Sequence, residues 1–396
     1  MAGRHFLFVP GPTNVPDRVL RAMHRAQEDH RSSAFPELPR SLFADLKKVY
    51  RTTAGQPFIF PASGSAMWEA SLVNALSPGD RVLSVRLGQF SHLFIDTAER
   101  LGLRVDVIDL EWGEAAPADR IGAALAADRA HEIKAVLIVH NETATGVTSD
   151  IGAVRRAMDA AKHPALLYVD GVSSIGSLDF RFDEWKVDFA IAGSQKGFMM
   201  PAGLGLLCVS QKALAMADQA RCPRAFFDIR DQARHNADGY FPYTPALAHL
   251  FGLREALDML FEEGLDTVTV RHHRLGEGVR RAIKAWGLSL CARDPKTYSG
   301  TVSAVVVPAG ADAKRVIDLA FRRYNLSLGG GMGRLGGKVF RIGHVGDLNE
   351  LMLLGALGGV EMALNDAGIA VTLGSGVAAA QSWWRETAAP AAVRVA

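Results

Sequence analysis

Lys196 and Asp170 are the residues whose type and spacing point most directly to chemistry. Lys196 follows the apolar run Val187-Asp188-Phe189-Ala190-Ile191-Ala192 and sits in the small-residue stretch Gly193-Ser194-Gln195-Lys196-Gly197. A lysine at the end of a buried strand is desolvated, which favours its neutral, nucleophilic amine. Asp170 closes a second apolar run, Ala165-Leu166-Leu167-Tyr168-Val169, 26 residues earlier (196 − 170). That separation suits a strand, a connection and a return to the same sheet edge. An amine and a carboxylate at neighbouring strand ends are what a pyridoxal phosphate enzyme requires. The amine holds the aldehyde as a Schiff base, and the carboxylate keeps the pyridine nitrogen protonated so that the ring accepts electrons. Either residue alone has an ordinary reading, as a solvated lysine or a helix-capping aspartate. Only the pairing argues for a site.

Other stretches could complete it. Phe60-Pro61-Ala62-Ser63-Gly64-Ser65-Ala66-Met67-Trp68-Glu69-Ala70 reads as a loop opening a helix. Small residues let backbone N–H groups approach a phosphate there, although Ser-Gly-Ser alone is also an ordinary N-cap. Phe90 follows a strand and precedes a helix, where an aromatic ring either stacks on a flat cofactor or fills the core. His140-Asn141-Glu142-Thr143-Ala144-Thr145-Gly146 is a polar loop at a strand end, the usual ligand crevice of open α/β sheets. Arg341, inside the apolar run Val339–Gly343, offers a planar fork for a carboxylate, with a structural salt bridge as the rival reading. Gly331-Met332-Gly333-Arg334-Leu335-Gly336 matches a dinucleotide fingerprint but precedes the strand Lys338–Ile342. Without a helix to open, it reads as a flexible loop leading to Arg341, and a nicotinamide oxidoreductase is disfavoured. His272-His273 lies on a charged helix and reads as solvated, with no metal-ligand spacing around it.

The elements that must position these residues alternate. Arg81–Val85, Arg104–Ile108, Ala135–Val139 and Leu166–Val169 read as strands, with helices at Ser91–Leu101, Arg120–Arg129 and Ile151–Lys162 between them. Near-continuous apolar strands alternating with helices predict a mostly parallel sheet covered on both faces. Gly203–Val209 is expected to return beside the strand preceding Lys196. After about Ala246 come helices at Pro245–Glu263 and Val268–Trp286, then a smaller α+β unit with strands at Val302–Val307 and Val339–Gly343 and helices at Ala313–Tyr324 and Leu348–Asn365. The expected layout is an arm over residues 1–15, a large α/β domain over 16–265 and a small α+β domain over 266–396. The alanine-rich tail from Gly374 carries little signal beyond Trp383-Trp384, which reads as local packing.

The 396 residues are 48% hydrophobic and 22% charged, as expected for a soluble globular chain. Their 44 basic and 42 acidic residues give +2, with no basic excess for a nucleic-acid partner. Three widely spaced cysteines suit neither a disulfide framework nor a metal site, and point to a reducing compartment. Phe6-Leu7-Phe8-Val9, followed by two prolines, is too short for a signal-peptide core, and no run approaches the roughly 18 residues of a membrane span. The final Val393-Arg394-Val395-Ala396 is not a peroxisomal address. The expectation is a cytoplasmic protein.

Taken together, these motifs resemble the class V aminotransferases of fold type I, nearest to the alanine–glyoxylate, serine–pyruvate and serine–glyoxylate group. The likeness runs from Pro10-Gly11-Pro12-Thr13-Asn14 to Gly343, and is most specific at His140–Gly146, Asp170–Ser174 and Gly193–Lys196. It implies that Lys196 carries the Schiff base and that Asp170 meets the pyridine nitrogen. It implies phosphate contacts at Gln195 and at Ser63, Gly64 and Ser65, ring stacking at Phe90, an apolar ring contact at Val172 and a hydroxyl at Thr143. Arg341 would grip the substrate carboxylate, with Gly11 beside it. Tyr240-Phe241-Pro242-Tyr243-Thr244-Pro245 resembles the segment that reaches across a homodimer to the partner's phosphate, which makes Tyr240, Tyr243 and Thr244 cofactor contacts in trans. The implied cofactor is pyridoxal 5′-phosphate and the implied reaction is transfer of the amino group of L-serine to glyoxylate. Alanine–glyoxylate and serine–pyruvate exchange are the alternatives.

Overall fold

Apolar runs bounded by polar residues become the strands of two sheets in the structure, a computed structural model that describes residues 3–388. The expectation drawn from Val393–Ala396 lies outside those residues. In chain order the strands are β1 (Phe6–Phe8), β2 (Gln56–Ala62), β3 (Arg81–Arg86), β4 (Arg104–Asp109), β5 (Ile133–Val139), β6 (Asn141–Glu142) and β7 (Val147–Thr148). They continue with β8 (Leu166–Asp170), β9 (Phe189–Gly193), β10 (Gly203–Val209), β11 (Ser289–Leu290), β12 (Val302–Val306), β13 (Leu326–Gly330) and β14 (Val339–Gly343). The large sheet has seven strands in the order β2-β10-β9-β8-β5-β3-β4. From β9 to β4 every pairing is parallel, whereas β10 runs antiparallel to both of its neighbours. Every residue of β8 and β9 is buried, because helices cover both faces. This is the mostly parallel α/β sheet expected of fold type I, with Gly203–Val209 returning beside β9.

The small sheet has the order β1-β13-β14-β12-β11 and its own apolar core, including Phe8, Phe340, Ile342 and Trp384. Its edge strand β1 comes from the N-terminal segment and pairs parallel with β13. The chain therefore leaves the small sheet at Phe8 and crosses the large sheet's strand ends before entering the helix Asp17–Met23.

Helix ends differ from the sequence expectation by a few residues, as frayed and capped ends do. The helix expected at Val268–Trp286 begins at Leu265, straight after Gly264. One expectation is corrected. His272 is not solvated: it is 1% exposed, its Nδ1 lies 2.7 Å from the Val268 carbonyl, and its Nε2 accepts the Gly346 amide at 3.0 Å. Helix periodicity placed it on a charged helix, but residues 344–348 cover that face. The Gly331–Gly336 stretch is a loop leading into β14, as expected. It forms a short turn at Gly333–Leu335 with the Arg334 guanidinium 5.6 Å from the centre of the Trp112 ring. The tail contributes a helix, Ser375–Glu386, in which Trp384 is buried and both Trp383 and Trp384 donate to the Arg274 carbonyl. Among the described residues no helix is long and apolar enough to cross a membrane, and no cluster of His, Cys, Asp and Glu could hold a metal ion.

Candidate active site

The C-terminal ends of β5, β8 and β9 carry the polar loops. Parallel neighbours end on the same side, so Asn141, Asp170 and Lys196 converge there. They open onto a cavity of about 270 Å³, also lined by Gly11, Pro12, Ser65, Trp68, Phe90, Thr143, Val172, Ser173, Gln195 and Ala202. Of the fourteen residues expected at the site, Gly11, Ser65, Phe90, Thr143, Asp170, Val172, Gln195 and Lys196 line this one cavity.

Lys196 is 8% exposed, and its amine donates to the Pro10 carbonyl. Burial first, and the nearby Arg341 charge second, pull its pKa from 10.5 to about 7, with Asp170 opposing. The amine is thus poised to be neutral near physiological pH. The strap Pro10–Thr13 lies directly over it, pinned by Thr13 N–H donating to the Gln195 carbonyl at 3.1 Å. Gly11 is required in that strap. Its φ is +118°, and an added Cβ would fall 2.5 Å from Lys196 Cδ, Cε and Nζ.

Asp170 is 4% exposed. Burial raises its pKa from 3.8 to about 6, against the Val172 amide, the Trp68 indole and Lys196, which favour the anion. Oδ1 accepts from the Val172 amide at 2.9 Å and Oδ2 from Trp68 Nε1 at 3.0 Å. Acid and base thus face one cavity, with pKa values moved toward each other and toward neutrality. Perturbation of this kind marks functional sites.

Ser63 caps the helix Gly64–Ala75, its Oγ accepting from the Ala66 amide at 3.4 Å. The first amides of that helix have no intrahelical acceptor. Gly64 packs under Val172, whose Cγ2 an added Cβ would meet at 2.7 Å. Close by, Gln195 Oε1 is buried without a partner. Thr143 Oγ1 donates to Ser173 Oγ at 2.8 Å, which leaves the threonine oxygen as an acceptor.

Arg341 stands beside the cavity rather than in its lining. It is 7% exposed; Nε donates to the Gly330 carbonyl at 2.8 Å and Nη1 to the Thr143 carbonyl at 3.1 Å. The expected rival, a structural salt bridge, is not what holds it. Of its five N–H donors, two are used and three remain, on Nη1 and Nη2, for an anion.

Tyr240, Tyr243 and Thr244 are not brought to the cavity within one chain. Tyr240 donates its hydroxyl to the Ser32 carbonyl and packs near Phe35. Tyr243 is 42% exposed and stacks on the exposed Phe226, with ring centroids 5.1 Å apart. Thr244 is exposed.

Sequence reasoning missed Trp68, Asn141, Ser173 and above all Glu142. The Glu142 carboxylate is fully buried and accepts three backbone bonds, from Phe90, Ser91 and Ala144 at 3.2, 2.9 and 3.1 Å. It ties the helix bearing Phe90 to the loop bearing Thr143. The signal was present: the helix Gln89–Arg100 starts at Gly88, which has no side chain to cap with, and has no acidic residue in its first turn.

A buried lysine near its neutral form, an opposed buried carboxylate and a small-residue helix N-terminus fit a phosphorylated pyridine aldehyde. Comparison with known proteins points the same way. The family model described as "Aminotransferase class-V" matches residues 5–320. The chain is 62% identical to the serine–glyoxylate aminotransferase of Methylorubrum extorquens, over 97% of each chain. It is 50% identical to the L-aspartate–glyoxylate aminotransferase of Paracoccus denitrificans over the full length of both. Among solved structures, the ureidoglycine–glyoxylate aminotransferase of Bacillus subtilis superposes with a TM-score of 0.89 at 27% identity, covering 97% of this chain and 99% of that one. Matched by the family model over residues 5–320, and by close relatives and fold over nearly its whole length, the chain belongs to the class-V aminotransferases.

Proposed function

We propose that this enzyme is a pyridoxal phosphate-dependent aminotransferase that moves the amino group of L-serine to glyoxylate, giving hydroxypyruvate and glycine. The observation that carries the reading is the buried, near-neutral Lys196 opposite Asp170 in one cavity. Lys196, Asp170, Phe90, Val172, Thr143, Gln195, Ser65 and the turn Ser63-Gly64 would hold the cofactor. When bound, it supplies an aldehyde that captures the substrate nitrogen and a protonated ring that takes up the electrons of the α-carbon.

The chain's own residues do the rest. Lys196 Nζ, neutral above about pH 7, removes the proton from the α-carbon of serine, and later returns one to the same carbon position of glyoxylate. Asp170, anionic above about pH 6, would meet the ring nitrogen and keep it cationic. Arg341 offers its three free N–H groups to the α-carboxylate that both substrates share. The strap Pro10–Thr13 covers the lysine and limits water at its amine.

Charge argues against aspartate as donor. Among the described lining residues Lys196 is the only basic side chain, with Arg341 beside them. One guanidinium serves one carboxylate. The second carboxylate of aspartate would enter without a partner, and an unpaired buried charge costs several kcal/mol. Steady-state rates with serine, alanine and aspartate against glyoxylate and pyruvate test this. The serine–glyoxylate pair is expected to be fastest, and a higher kcat/KM for aspartate would overturn the assignment.

The exposed stacked pair Phe226 and Tyr243, next to Thr244, supports a homodimer in which Tyr240–Pro245 completes the partner's phosphate site. Sedimentation showing a fully active monomer would refute it. Three free, buried cysteines support a cytoplasmic location.

A further inference from the structure

The helix Gly64–Ala75 meets the candidate site twice. Ser65 lines the cavity from its first turn, and Trp68, about one turn later, lines it again. At 4% exposure the indole could serve as a core filler alone. Its polar atom has a specific partner, however. Nε1–H donates to Asp170 Oδ2 at 3.0 Å, and both groups are buried. The indole stacks on Phe94, with centroids 5.6 Å apart and planes 19° from parallel, so the direction of the N–H is set by packing. Asp170 Oδ1 is fixed separately by the Val172 amide. One donor on each oxygen determines the plane of the carboxylate and leaves a lone pair on each for a further donor.

We propose that Trp68 is a positioning residue for Asp170: its indole N–H anchors the carboxylate as an anion and aims it at the cationic ring nitrogen of the cofactor. The inference rests on the reading above that Asp170 meets that nitrogen. An indole nitrogen donates and cannot accept, so it stabilises the carboxylate and offers nothing to the proton of a carboxylic acid. A serine or histidine in its place could serve both forms. Of the charged groups around Asp170, Lys196 favours the anion, and Glu142 is a like charge whose own carboxyl is raised by burial and, less, by Asp170. Burial disfavours the anion as well, so the Trp68 and Val172 bonds are needed to offset it.

The test uses the full chain freed of cofactor, with its six tryptophans labelled with ¹⁵N at the indole. One indole N–H resonance is expected to move with pH in step with the Asp170 carboxyl, followed by infrared difference spectroscopy. That movement should vanish in Asp170→Asn. In Trp68→Phe the carboxyl midpoint should rise by about one to two pH units, the equivalent of one lost charge-assisted hydrogen bond. Pyridoxal phosphate should then bind about tenfold more weakly at pH 7, with part of the affinity regained at higher pH as the carboxyl ionises. No indole signal tracking Asp170 in the wild type, which needs no folded variant of Trp68, would overturn the proposal. So would an unchanged midpoint or wild-type affinity in a natively folded Trp68→Phe. If Asp170→Asn itself binds cofactor and turns over normally, the reading of Asp170 fails instead, and the two failures are distinguishable.

Discussion

Replacing Glu142 by glutamine removes one buried negative charge from the support of the site while keeping the shape of the side chain. In the wild type Oε1 accepts from Phe90 N–H and Ala144 N–H, and Oε2 accepts from Ser91 N–H at 2.9 Å. A glutamine has one oxygen. With it at the Oε1 position, two bonds survive as neutral ones, and the amide NH2 confronts the Ser91 N–H, donor against donor. A charge-assisted bond contributes about 1.5–3 kcal/mol and a neutral one about 0.5–1.5. Losing one bond and weakening two therefore costs about 3–5 kcal/mol before compensation. Burial raises the Glu142 pKa, so the carboxylate carries a desolvation cost that glutamine escapes. The net loss expected is about 1–3 kcal/mol, concentrated at the start of the helix Gln89–Arg100. Native-state hydrogen exchange reads it locally: the Ser91 amide should exchange roughly 10- to 100-fold faster, with distant core strands unchanged. Because the Phe90 side chain lines the cavity, kcat/KM for serine should fall severalfold as well. Exchange at Ser91 and turnover within twofold of wild type would refute the idea that this carboxylate caps the helix and holds the site together.

Arg341→Lys keeps the charge but cannot hold two backbone carbonyls and a carboxylate at once, so kcat/KM for both serine and glyoxylate should drop about ten- to a hundredfold. Wild-type kinetics in that variant would remove Arg341 from substrate binding. The rate at which cofactor-free protein captures pyridoxal phosphate should rise with pH. Lys196 is depressed to about 7 and is neutral above it, while Asp170 is raised to about 6 and is anionic above it, so both are ready only on the alkaline side. A capture rate flat between pH 5.5 and 8.5 would contradict those environments. Asp170→Asn should retain bound cofactor and lose most of the turnover, because an amide does not stabilise a ring cation as a carboxylate does. Full activity would make Asp170 structural.

The parts of the site legible in the sequence were those set by strand ends. Lys196 and Asp170 terminate apolar runs, and parallel neighbours must end together, so their meeting followed from pattern alone. Residues placed by tertiary crossing were not legible in that way. Strand β1 is three residues long, and its partner β13 begins 320 positions later (326 − 6), so nothing local marks Phe6–Phe8 as a sheet edge. Trp68 reads as one more apolar helix residue until its nitrogen is seen to face Asp170. Glu142 lies in a motif read only as a polar loop, because its partners are amides of a helix some fifty residues upstream. His272 appeared exposed for the converse reason, since the segment that covers it comes from Gly346. Tyr240, Tyr243 and Thr244, expected to act across a dimer, lie away from the cavity of their own chain.

The central claim is that Lys196 is the residue that carries the cofactor. Loading the full chain with pyridoxal phosphate, reducing it with borohydride and mapping the labelled peptide by mass spectrometry tests this directly. The account expects one pyridoxyl group per chain, on Lys196, with Lys196→Ala unlabelled and inactive but folded. A stable label on another lysine, or an unlabelled chain that still transfers amino groups, would contradict it.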